Sequence, residues 1–353
     1  MSVSRDHKRG TWYAHLRYKD PFGETKYTNK RGFKSKSAAR KWELEELERR
    51  RGQPTMTLKR FISLYLEDIK PRIRDGTMVT KTTMIRKYII PKLGEKRVCD
   101  ITSADIIKWE NWLLGLGHSP TYTHTICNQM SAVLNHAIRH YGLQTNPMLA
   151  AGKVGDKKPA KPMKFWTQEE FEMFVEALAD KPIYYMAFTL LYWTGIREGE
   201  LLGLQPCDFD AVHGTLKIRR SFSRVRGKDV LGPTKTKKSV REVLLPDFVA
   251  DELADYLATR TDLTDTDRIF QMTKSSLARA LKLGCERAGI DRIRVHDLRH
   301  SHVSLLINLG FSAEAIADRM GHESASVTSM YAHLFPSTQK SLVDALEKAG
   351  KHE

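Results

Sequence analysis

Cysteine is scarce in this 353-residue chain, and the four present (Cys99, Cys127, Cys207 and Cys285) never form a Cys-x-x-Cys pair. Their scatter argues against a disulfide framework and a structural zinc site, and for a reducing cytoplasm. Long apolar runs are missing too. Nothing approaches the roughly 20 apolar residues of a membrane span, and Met1-Ser-Val-Ser-Arg-Asp-His-Lys-Arg9 lacks the apolar core of a secretory signal. No membrane is therefore expected. There is no glycine-rich loop of the phosphate-cradling kind, so neither ATP nor any other cofactor is implied.

What the chain has in excess is positive charge. Its 58 Lys and Arg against 42 Asp and Glu give +16, and the distribution is uneven. Residues 1–52 hold 15 basic against 7 acidic residues, 53–160 hold 16 against 8, and 161–353 hold 27 against 27. The whole excess thus sits in the first 160 residues, which suits a polyanion such as DNA. At this length more than one core is expected, and 41% hydrophobic residues can supply them.

Residues 11–19 and 24–33 alternate apolar or aromatic with charged side chains around Pro21-Phe-Gly23, the pattern of a β-hairpin. Residues 2–8 suggest a third strand. Ser35 is placed to cap a helix over 36–50, with Ala38 and Trp42 expected on its inner side. Such a basic sheet backed by one helix suits a major groove. After a joint at Gly52-Gln-Pro54, helical periodicity predicts four helices near 57–70, 80–91, 103–115 and 121–141. His136 and His140, four apart, lack a carboxylate or cysteine on their face, which argues against a metal.

Residues 151–164, small, basic and twice interrupted by proline, read as a linker. Thr167-Gln-Glu-Glu170 then opens a new domain with a capping box. A buried helix over 184–192 ends at Thr194-Gly195, and Arg197 leads into a helix over 198–204. Residues 215–222, 228–235 and 240–245 alternate like the strands of one small sheet. Helices are expected at 246–260 and 274–288, then a helix opening at His296, and further helices at 312–320 and 324–334.

Several groups in this half suit phosphate chemistry. His296 and Arg299 lie three apart, a spacing that shares a helix face. A guanidinium clamps phosphate oxygens while an imidazole moves a proton. In order along the chain come Thr194-Gly-Ile-Arg197-Glu-Gly-Glu200-Leu, a lysine in a β-turn, His296-Asp-Leu-Arg299-His300, Gly321-His322, and Tyr331. This series resembles the tyrosine recombinases, the integrases of phages and mobile elements. Residues 1–52 resemble their arm-site-binding domain and 55–150 their helical core-site-binding domain. One departure is Pro206, where related integrases commonly carry tryptophan.

The resemblance implies a multidomain α+β protein. A small β-sheet-plus-helix arm-binding domain (1–52) precedes a four-helix core-binding domain (55–150). The linker (151–164) leads to a mixed, mainly helical catalytic domain (165–353) with a small antiparallel sheet. It also implies DNA strand cleavage and rejoining through a 3′-phosphotyrosine. Tyr331 would be the nucleophile, and because a phenol has a pKa of about 10, His296 would serve as its base. Arg197 and Arg299 would clamp the non-bridging oxygens, and His322 would add a hydrogen bond. Lys235, with Lys237 as the alternative, would protonate the leaving 5′-oxygen, while Glu200 orients the scaffold.

The implied partners are double-stranded DNA at core and arm sites, three further copies in a tetramer on two DNA sites, and DNA-bending or excision factors. The expected location is the bacterial cytoplasm, at the nucleoid. The rivals are a strand-rotating topoisomerase with the same chemistry, a catalytically silent DNA-binding regulator, and zinc held by His296, His300 and His302. The last lacks the glutamate of His-Glu-x-x-His.

Overall fold

The computed structural model describes residues 3–7, 9–19, 24–50, 54–152, 154, 163–234 and 237–321. The chain divides into two compact units, residues 1–160 and 161–353. No helix among the described residues is long and apolar enough to cross a membrane.

The first unit opens with an antiparallel sheet, β1 (Val3–Asp6), β2 (Thr11–Lys19) and β3 (Thr25–Phe33), in that spatial order. Strand alternation sends Ala14, Leu16 and Tyr18 of β2 inward, where α1 (Lys36–Arg50) packs on that strand. Ser35 caps α1 by accepting from the Ala38 N–H at 3.1 Å. The expected inner pair is corrected by one residue: Ala39 is fully buried and Ala38 is exposed. Across the sheet His15 stacks on Tyr27 and Arg31 lies over Tyr13, leaving a basic, aromatic outer face.

The helical part contains α2 (Leu58–Ile69), α3 (Asp75–Met84), α4 (Ile90–Leu93), α5 (Ser103–Gly115), α6 (Pro120–Tyr141) and a short α7 (Pro147–Ala151). The third element differs most from expectation. Pro91 does not end it. Proline cannot donate to a carbonyl one turn back, and the helix accommodates this by widening into a π-helical stretch over Ile85–Ile89. The Ile90 N–H then bonds to Ile85, and the Tyr88 carbonyl accepts from the Trp109 indole at 2.8 Å. His136 also departs from the sequence reading. A carboxylate does reach it, from another helix: Asp68 Oδ2 lies 2.8 Å from its Nε2 and also accepts from Tyr141 at 2.6 Å. With Phe61 and Tyr65 against its ring, His136 is a packing residue.

Glu110 of α5 is buried in this helical core, and its Oε1 has no hydrogen-bond partner. Burial pushes its carboxyl up to about 7. A proton is therefore bound in the fold at pH values where the unfolded chain has lost it. Its contribution is fully favourable below the ordinary carboxylate range and is lost as pH rises towards 7. Glu110→Gln should match the wild type near pH 4 and be more stable by about 3 kcal/mol at pH 8. Thermal unfolding of the full chain at both pH values checks this; equal differences at the two would refute it.

The second unit contains α8 (Gln168–Glu176), opened by the expected Thr167–Glu170 capping box, and α9 (Pro182–Thr194), with most of its residues buried. Next come α10 (Glu198–Leu201), β4 (Phe209–Asp210), β5 (Thr215–Ile218), β6 (Arg220–Val225), β7 (Lys228–Pro233) and β8 (Arg241–Leu244). Four helices complete the described part: α11 (Asp247–Ala258), α12 (Lys274–Ala288), α13 (Asp297–Asn308) and α14 (Ala313–Met320). The core is aromatic, built on Trp166, Phe171, Phe174, Phe188, Tyr192 and Phe270.

Where one small sheet was expected, two form: β4-β5-β8, and a separate β6-β7 hairpin. The run 215–222 breaks at Arg219. Successive strand residues face opposite ways, yet Arg219 and Arg220 both reach buried Asp208, each at 2.6 Å. Only a kink allows that. Pro206 begins the tight turn that presents Asp208 and is itself half-buried. The expected helix over 324–334 lies outside the described residues.

Candidate active site

Arg197 owes its position to the end of α9. Gly195 adopts the left-handed conformation there (φ 62°), and a Cβ at this position would meet His302 Cδ2 and Met320 Sδ at 2.7 Å. Only glycine satisfies both the turn and the close approach. The chain then re-enters a helix with Arg197 at its N-cap. The Arg197 N–H donates to Glu200 Oε2 at 3.0 Å, and its Nη1 donates to Glu200 Oε1 at 2.7 Å and Ser239 Oγ at 3.2 Å.

Glu200 is 2% exposed and also accepts from both terminal nitrogens of Arg241, each at 3.2 Å. Burial opposes its ionisation, but Arg241 and Arg197 outweigh that and hold the carboxyl below its usual range. For Arg241 the balance runs the other way, with burial outweighing the attraction of Glu200. Removal of one member would leave the others buried without their partner, which is what costs.

Arg299 lies in the first turn of α13 and is buried, Nη1 donating to the Gly195 carbonyl at 2.6 Å and Nη2 to Met320 at 2.9 Å. It therefore braces the turn that presents Arg197. His296 precedes α13 and stays exposed. Surrounding protein, then His300 and Arg299, lower its proton affinity and so favour the neutral ring, the form that accepts a proton. Beside it a 380 Å³ cavity opens, rimmed by Glu198, Lys274, Arg292 and Arg294. Asp297 is buried and accepts from the main-chain N–H, Nε and Nη2 of Arg294, fixing the start of α13.

His302 belongs to the core. Burial, followed by the charge of Arg319, pushes it down to about 3, and its Nε2 accepts from Arg319 at 3.3 Å. This separates its role from that of exposed His296. Among the described residues no group of three or more His, Cys, Asp and Glu is placed to hold a metal. Lys235, His322 and Tyr331 lie outside the described residues, and the side chain of Lys237 does too. Their neighbours are inside: Thr234 is 3% and Ser239 0% exposed, and Gly321 is buried.

Arg241, Ser239 and Arg319 were absent from the sequence reading. The available signal was Glu200 itself, since a carboxylate between Gly199 and Leu201 needs cations if it is buried.

The chain matches three family profiles in order. Residues 2–48 match the arm DNA-binding domain, 57–114 the N-terminal SAM-like domain of phage integrase, and 164–338 the phage integrase family. It is 28% identical to the ICEBs1 integrase of Bacillus subtilis (strain 168) over 315 residues, covering 85% of each chain. With the integrase of Mycobacterium phage D29 it shares 29% over 298 residues, covering 81% of this chain and 77% of the relative. The fold is similar to the Tn1549 transposon integrase solved with a circular intermediate DNA. That match has a TM-score of 0.70 at 18% identity, over 82% of this chain and 99% of the other. It is similar as well to the lambda integrase tetramer bound to a Holliday junction, with a TM-score of 0.59 at 18% identity over 94% of each chain. Three profiles in register, integrase relatives along most of the length, and a buried carboxylate that sets the first arginine of the motif series lead to one assignment: the chain belongs to the phage integrase family of tyrosine recombinases.

Proposed function

We propose that this recombinase cleaves and rejoins DNA with Arg197, Lys235, His296, Arg299, His322 and Tyr331. The Tyr331 oxygen attacks the phosphorus and its proton passes to His296. The bond from phosphorus to the 5′-oxygen breaks, and Lys235 protonates that oxygen. A 3′-phosphotyrosine and a free 5′-hydroxyl result, and the reverse sequence rejoins the strand. Arg197 and Arg299 hold the charge on the non-bridging oxygens, and His322 donates to the same phosphate. The observation that carries this reading is the tie between the two arginines. Arg197 follows Gly195 by two residues, and Arg299 donates to the Gly195 carbonyl at 2.6 Å.

In this reading residues 1–52 bind arm sites and 55–150 grip the core site. Residues 151–164 link them to the catalytic domain, 165–353. The charge distribution supports that division, since the excess lies wholly before residue 161. The tetramer on two DNA sites, the accessory factors and a cytoplasmic location at the nucleoid belong to the same proposal. The lambda tetramer on its junction supports the assembly by likeness of fold.

The test is a nicked core-site substrate that loses its 5′-hydroxyl fragment on cleavage and so traps the adduct. Digestion of the adduct should leave the DNA on the peptide containing Tyr331. DNA attached to any other residue, or no adduct at all, would remove the assignment.

A further inference from the structure

Arg241 has no part in the chemistry described above, yet it joins three pieces of chain that the chemistry requires. Its side chain is 8% exposed. Nη1 and Nη2 donate to Glu200, which sets Arg197, and Nη1 also donates to the Ser239 carbonyl at 3.1 Å. Ser239 in turn accepts from Arg197 through its hydroxyl. The third tie is Nε to the Arg319 carbonyl, 3.1 Å away at the end of α14. Arg299 takes the next carbonyl, Met320, so two arginines from different elements satisfy the last carbonyls of this helix.

Gly321 follows at φ 62°, where a Cβ would stand 3.0 Å from the Lys238 carbonyl and 3.1 Å from Arg241 Cδ. Lys238 and Gly321 therefore meet against the Arg241 side chain. A lysine has one terminal nitrogen and cannot span Glu200 and the Arg319 carbonyl in this fork geometry.

We infer that Arg241 is a positioning residue for strand cleavage, holding Arg197, the Lys238–Ser239 backbone and Gly321, the residue before His322, in mutual register. The inference rests on the site proposed above. A displacement of about 1 Å among such groups costs on the order of a hundredfold in rate. The fork touches no DNA in this role, so DNA affinity should be unchanged.

The experiment follows adduct formation on the nicked core substrate with full-length Arg241→Ala and Arg241→Lys, the wild type and Tyr331→Phe run alongside. DNA concentration is varied and melting temperature recorded. Arg241→Ala is expected to lose about a hundredfold in rate at saturating DNA and Arg241→Lys about tenfold, with the half-saturating concentration unchanged. Should Arg241→Ala fail to fold, Arg241→Lys decides. Wild-type rates at saturating DNA for Arg241→Lys overturn the inference, as does a loss confined to half-saturation or matched by an equal loss of folded protein. Failure of the wild type to form an adduct, or adduct with Tyr331→Phe, overturns the site reading instead.

Discussion

Lys235→Ala should cleave ordinary DNA about a thousandfold more slowly than the wild type, the scale of a lost general acid. It should cleave DNA carrying sulfur in place of the bridging 5′-oxygen at close to the wild-type rate. The leaving alkoxide needs a proton, and an ammonium of ordinary pKa about 10.4 supplies it readily. A thiolate leaves without one. Arg197→Ala should stay slow on both substrates, because its guanidinium acts on the non-bridging oxygens. The pair of substrates therefore separates acid from clamp in one single-turnover measurement. If Lys237→Ala shows the sulfur rescue and Lys235→Ala does not, the acid is Lys237. If neither is rescued, the turn does not supply the acid.

Glu200→Ala should destabilise the folded chain by about 3–5 kcal/mol, the cost of breaking a buried ion pair from one side. Arg241 would be left in the interior facing a void, and Arg197 would lose the partner that sets its side chain. Glu200→Gln keeps an acceptor oxygen and should lose less stability, yet cleave far more slowly than wild type. The sign with pH follows from the lowered carboxyl. Its stabilisation is present above the ordinary carboxylate range and disappears as pH falls through the depressed value. Denaturant unfolding between pH 3 and pH 7 checks both points. A Glu200→Ala chain with wild-type stability at pH 7 would show that the two arginines do not depend on this carboxylate.

Much of the helical unit was legible because apolar residues recur at helical spacing, and Ile126, Met130, Val133, Leu134 and Ala137 are all buried on α6. Local signals also held at the caps, where Ser35 and the Thr167–Glu170 box act within a few residues of themselves. Pro91 misled because a helix can absorb a proline by widening a turn, as it does over Ile85–Ile89, where the Tyr88 carbonyl also accepts from Trp109, 21 residues away. The single expected sheet failed for a similar reason. Alternation continues through Arg219, but Asp208 pulls both arginines and bends the strand away.

Sequence alone determined the order of the chemical groups, the charge asymmetry and the family, since these reside in residue types and their spacing. Gly195 could also be read locally, because a left-handed helix end asks for glycine wherever it occurs. Only the tertiary structure decided which cations share Glu200, that Arg299 turns inward to the Gly195 and Met320 carbonyls, and that His302 is a neutral core residue while His296 faces outward. The reason is physical. A buried charge must be matched by partners brought from distant parts of the chain, here Glu200 by the Arg241 guanidinium and that guanidinium by the Arg319 carbonyl. Periodicity reports which side of an element is buried, but not which other element arrives to cover it.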